Sequence, residues 1–174
     1  YFGIVDSPDQ FSQMLAREGI DFSISAQTNL NRIMKNKDSF RIISAPLSND
    51  ADDLINSHKM KFLVFYRSLC NICGEVLQLE ELLSFFKDDL AESLELAIIL
   101  RDMRDYNDLH KLIDSLPTKA GYFFNAEDVH PELDRFFLGG NPLFVLFDEN
   151  NNLVRYKNGY QMNKNRIRSF LKLN

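Results

Sequence analysis

Two nearly continuous apolar runs, KFLVFY at residues 61–66 and LELAIIL at 94–100, most constrain the fold of this chain. Runs without polar alternation predict strands that are buried on both faces, and such strands need helices on each side of their sheet. Between the two runs, apolar residues recur at helical spacing from Val76 to Phe86, which predicts a helix over residues 74–87. This strand–helix–strand unit predicts an α/β domain.

The same alternation continues along the rest of the chain. Further strands are predicted at residues 40–44, 121–125 and 142–148, and further helices at 50–59, 106–116, 130–137 and after Asn163. Three asparagines at residues 150–152 predict the turn of a hairpin, whose second strand would be residues 153–159. Strand–helix repeats followed by a hairpin predict a central mixed sheet.

The first 36 residues have a different pattern. A Ser-Pro pair at residues 7–8 predicts a helix start, because serine caps free backbone N–H groups and proline fits the first helical position. The segment LNRIM at residues 30–34 has the apolar spacing of a second short helix. We therefore predict a mostly helical N-terminal extension at residues 1–36, followed by an α/β domain at residues 37–174.

Composition excludes some classes of partner. The chain has 174 residues, 45% of them hydrophobic, and a net charge of −5 at pH 7. The negative charge argues against binding to nucleic acid or anionic lipid, since either partner needs a basic face. No apolar run approaches the roughly 18 residues of a membrane span, so none is expected. The sequence begins with Tyr1 rather than Met, so we expect residues upstream, and a removed export signal would not be visible.

The two cysteines, Cys70 and Cys73, follow the strand predicted at residues 61–66, where the next helix begins. The positive dipole end of a helix stabilises a thiolate, so the pKa of Cys70 should fall below the free value of about 8.5. Cys73 comes one helical turn later, within disulfide reach of Cys70. This pattern predicts thiol–disulfide exchange, with Cys70 as the nucleophile and Cys73 as the resolving cysteine.

Two stretches of the sequence resemble the thioredoxin family. FYRSLCNIC at residues 65–73 is similar to the thioredoxin active-site segment, in which an aromatic-rich strand leads to Trp-Cys-x-x-Cys. LGGNPLFVLFDENNNLVRYKNGYQ at 138–161 is similar to the stretch in which a cis-proline precedes a strand, a turn and a glycine-containing strand. Residues 102–137 resemble the insertion of the TlpA-like redoxins.

The resemblance implies a thioredoxin-like three-layer fold with a central mixed β-sheet. It makes Pro142 the cis-proline that faces the cysteines, and Asn141 the residue whose backbone pairs with an incoming peptide. Leu69 stands where tryptophan is usual, so its contact with a partner at the rim of the site would differ. Val64 stands where thioredoxins carry a buried acidic residue, so Cys73 lacks that proton acceptor.

The resemblance also implies a function. TlpA-like proteins are thiol–disulfide oxidoreductases that work outside the bacterial cytoplasm and often reduce disulfides in exported proteins. For this chain we therefore expect protein thiols or disulfides as substrates, no dissociable cofactor, and an extracytoplasmic location, either periplasmic or tethered to a membrane. The Asn71-Ile72 pair between the cysteines does not give the direction of electron flow, and the redox partner is not identified by the sequence.

Other interpretations of the cysteines stay open. A zinc site needs about four ligands, whereas this chain adds only the scattered His58, His110 and His130, so no metal is expected. A peroxidase of the peroxiredoxin type would need a Pro and a Thr just upstream of its cysteine, and the chain has neither there. The main rival is a thioredoxin-fold binding module with little or no redox activity, because a fold does not determine a function.

Overall fold

The computed structural model describes residues 29–34, 40–44, 51–66, 75–101, 111, 113–116, 121–126, 142–158 and 163–172. Within these ranges the helices with full bounds are α1 Leu30–Ile33, α2 Ala51–Asn56, α3 Glu75–Phe85 and α4 Lys164–Leu171. Residues 111 and 113–115, inside the helix predicted over 106–116, are also helical. The strands are β1 Phe40–Ser44, β2 Met60–Tyr66, β3 Leu94–Leu100, β4 Tyr122–Ala126, β5 Leu143–Phe147 and β6 Leu153–Asn158.

The strands form one six-stranded sheet in the order β1-β4-β3-β2-β5-β6. Strand β2 is parallel to β3, and β3 is parallel to β4, whereas the other neighbouring pairs are antiparallel. This confirms the mixed sheet predicted from the sequence. Both central strands are buried almost throughout, as their continuous apolar runs predicted.

Helices α3 and α4 cover one face of the sheet. Leu83 of α3 and Phe170 of α4 join a core cluster with Phe62 of β2 and Phe144 of β5. The Phe62 and Phe144 rings are stacked with their centroids 5.3 Å apart, and the Phe170 ring lies 5.8 Å from Phe62. Burial of each such side chain contributes about 1.5–3 kcal/mol, so these phenylalanines stabilise the core.

Several predicted elements differ from the observed ones at their ends. The helix predicted over 74–87 is α3, and it continues through a π-helical turn, Phe86–Leu90, which buries Phe86 and Leu90. The helix predicted over 50–59 is shorter in the structure, where it is α2 and ends at Asn56. Ser57 Oγ accepts the Lys59 N–H at 3.3 Å, which turns the chain, and β2 begins one residue later. The helix predicted over 130–137 lies outside the described residues.

The β5–β6 turn is fixed by side chains and contacts α1. Asp148 Oδ1 accepts the backbone N–H groups of Asn150 and Asn152 at 2.9 and 2.8 Å, and Asn151 takes the left-handed conformation at φ 68°. The Asn151 carbonyl then accepts the Leu30 N–H at 2.8 Å, and the Leu30 side chain is fully buried. This fold therefore includes part of the predicted extension. The rest of that extension, residues 1–28 and 35–36, lies outside the description.

Candidate functional site

The predicted active-site segment is framed by two well-packed elements. Strand β2 ends at Tyr66, whose side chain is buried, and helix α3 begins at Glu75. In the sequence, Cys70 and Cys73 come after this central parallel strand and before the described part of α3. Four of the predicted site residues lie outside the described residues: Leu69, Cys70, Cys73 and Asn141.

Pro142 is the predicted site residue that the structure describes. It is buried and directly precedes β5. The first residue of β5, Leu143, pairs with Phe65 of β2, so Pro142 lies at the edge of the sheet where β2 ends. Cys70 is four residues beyond Tyr66, and a chain of that length spans at most roughly 14 Å. The cis geometry of the Asn141–Pro142 bond stays a prediction.

A third chain segment reaches the same edge. The backbone N–H of Arg101 donates to the Tyr66 carbonyl at 2.8 Å, which continues the parallel pairing of β2 with β3 one residue beyond Leu100. Arg101 is half-buried. The backbone of Arg101 therefore lies beside the end of β2. Sequence reasoning missed this residue, because nothing local in the sequence shows which residue pairs with Tyr66.

The interior beneath this edge is apolar. Val64 is fully buried and is flanked by Ile98 of β3 and Phe144 of β5, both of which are also buried. A buried aliphatic side chain can neither accept nor donate a proton, so residue 64 supplies no base for Cys73. This agrees with the departure from the thioredoxin pattern noted in the sequence.

A second feature that sequence reasoning missed lies at the opposite end of β2. Lys61 is fully buried, and its Nζ donates to the carbonyl oxygens of Ser57 at 2.6 Å and Glu149 at 3.0 Å. Burial lowers the pKa of this ammonium group, while the carboxylates of Asp148, Glu149 and Glu95 act in the opposite direction. In the sequence, Lys61 is simply a lysine at the start of an apolar run. A lysine in that place is usually exposed to solvent at the end of a strand, so its burial was not predicted.

Two further findings concern the described ranges alone. No group of three or more His, Cys, Asp or Glu side chains within them could hold a metal ion. Among the helices described, none is long and apolar enough to cross a membrane.

The comparisons with known proteins give matches in structure only. A scan against protein-family models finds none, and no curated protein is significantly similar in sequence. The thioredoxin domain of a thiol-disulfide oxidoreductase from Bacteroides vulgatus superposes with a TM-score of 0.57 and 14% identity, over 86% of this chain and 97% of that domain. An exposed lipoprotein thioredoxin from Streptococcus pneumoniae gives a TM-score of 0.54 and 19% identity, over 70% of this chain and 87% of the other.

A secreted disulfide oxidoreductase from Mycobacterium tuberculosis gives a TM-score of 0.51 and 13% identity, over 67% of this chain and 83% of the other. Identities this low establish the fold alone. Together with the mixed sheet and the helices on it, they show that the chain has the α/β, thioredoxin-like fold.

Proposed function

We propose that this protein is a thiol–disulfide oxidoreductase that exchanges disulfides with protein substrates through Cys70 and Cys73. The observation that carries the proposal is the place of the Cys-x-x-Cys pair in the chain, between the carboxyl end of β2 and the start of α3 in a thioredoxin-like fold. Structural neighbours named as thiol–disulfide oxidoreductases support it. The buried Pro142 at the same edge of the sheet supports it further.

In the proposed reaction, the Cys70 thiolate attacks one sulfur of a substrate disulfide. The substrate S–S bond breaks, a mixed disulfide forms, and the departing thiolate takes up a proton. Cys73 then loses its proton and attacks the Cys70 sulfur, which closes the Cys70–Cys73 disulfide and releases the second substrate thiol. Two electrons and two protons pass from the protein dithiol to the substrate, and an external dithiol must supply them again before another cycle.

The substrate would bind at the edge of the sheet where β2 ends. In this proposal Asn141 offers its backbone to an extended peptide, and Leu69 contacts the partner beside Cys70. Pro142 is buried directly before β5, whose pairing with β2 at Leu143 and Phe65 fixes the position of the proline at that edge. A rigid anchor of this kind would hold Asn141 in one place.

We also propose an extracytoplasmic location. Two structural neighbours support it, because one is named an exposed lipoprotein and another is named a secreted oxidoreductase. Protein disulfides persist in oxidising compartments of this kind, which is where a thiol–disulfide oxidoreductase finds substrates.

The second candidate is a protein-binding module without redox activity. The observation that favours it is Val64, which is fully buried among apolar neighbours at the position where thioredoxins carry an acid. A pair of cysteines without the buried acid at that position would exchange disulfides more slowly.

The rate of alkylation against pH tests the proposal. In a Cys73→Ser variant only Cys70 can react, and the alkylation rate should give a Cys70 pKa of about 7 or lower, since a helix N-terminus stabilises the thiolate. The same variant should accumulate mixed disulfides with client proteins, visible on non-reducing gels, whereas Cys70→Ser should accumulate none. A Cys70 pKa at or above that of a free thiol, together with no mixed disulfides in the Cys73→Ser variant, would show that the binding-module interpretation is right.

A further inference from the structure

We draw no further inference here: the strongest candidate, the basic surface patch of helix α4 and its C-cap with Lys164, Arg166, Arg168 and Lys172, carries none, because Asp89 already pairs with Lys164 and Arg168 and nothing in the structure shows what covers the rest of the patch.

Discussion

At the scale of the residue, Lys61 departs most from what its sequence context indicates. It lies in a strand that is otherwise apolar, yet its ammonium group is buried and held by the Ser57 and Glu149 carbonyl oxygens. Near it, Asn151 Oδ1 is buried without a hydrogen-bond partner, although its Nδ2 donates to the Ile55 carbonyl at 3.0 Å. Polar groups thus concentrate at the end of the sheet where β2 begins, and their hydrogen bonds join the hairpin turn to the chain before β2.

Burial of Lys61 predicts a specific dependence of stability on pH. The pKa of Lys61 in the folded protein is lowered from 10.5, so between the two values the unfolded state binds more protons. The free energy of unfolding should therefore rise with pH through this window, up to about 10.5. Lys61→Met removes this titrating group, so the free energy of unfolding of the wild type relative to this variant should increase as the pH rises.

Urea unfolding of both proteins at steps between pH 7 and 11 measures this difference. Lys59→Met is the matched control, since Lys59 is half-exposed and only 3.8 Å from the Glu95 carboxylate in a surface ion pair. Its profile should run parallel to that of the wild type. If the free energy of unfolding of Lys61→Met also runs parallel to that of the wild type between pH 7 and 11, burial does not destabilise the charged form of Lys61.

At the scale of the element, the sequence predicted best where burial alone determines structure. Strands β2 and β3 were predicted within one residue of their observed bounds, because an apolar run buried on both faces leaves little choice. The continuation of α3 through Phe86–Leu90 was missed, since the polar residues 87–89 look like a helix end although Leu90 packs into the core. The apolar run of β2 and the helical spacing of α3 also predicted a strand before the two cysteines and a helix after them.

The parts of the site that were not predicted depend on pairing between distant strands. The register that sets Tyr66 opposite Leu100, and so places the backbone of Arg101 beside the end of β2, joins residues more than 30 positions apart in the sequence. No local pattern carries that information. The turn at Gly121 is similar, because only the tertiary structure shows how close β3 passes to it.

Gly121 should be intolerant of any side chain. Its φ is +90°, and a Cβ there would lie 2.7 Å from the Leu96 carbonyl oxygen and 3.1 Å from Leu96 Cβ. Since Leu96 belongs to the central strand β3, the backbone cannot move away cheaply. We expect Gly121→Ala to lower the free energy of unfolding by about 1–3 kcal/mol, from strain and overpacking together.

Chemical denaturation measures this loss, and Gly121→Asn separates its two causes. Asparagine tolerates positive φ better than alanine but carries the same Cβ. Equal losses in the two variants would assign the cost to the contact with Leu96, and a smaller loss for Asn would assign part of it to backbone strain. An Ala variant as stable as the wild type would contradict the prediction.

At the scale of the whole molecule, the segment 29–34 is packed onto the rest of the fold at the hairpin turn. Asn29 caps α1 by accepting the Asn31 N–H at 2.9 Å, and its Nδ2 donates to Asn152 Oδ1 at 3.1 Å. Leu30 and Met34 are both fully buried. These contacts lie at the end of the sheet where β2 begins, while Pro142 lies at the other end of β2. Stability at one end can therefore be tested without touching the site.

Leu30→Ala tests whether this segment folds as one unit with the sheet. Truncation of a fully buried leucine typically costs 2–5 kcal/mol, so a single cooperative transition with a loss of about that size is expected. Leu153→Ala is the matched control, since Leu153 is only half-buried beside the same turn and should lose less. Urea unfolding followed by circular dichroism measures both variants. If Leu30→Ala unfolds with wild-type stability, or in a separate early transition, the segment is an appendage, and a boundary after residue 36 describes the domain correctly.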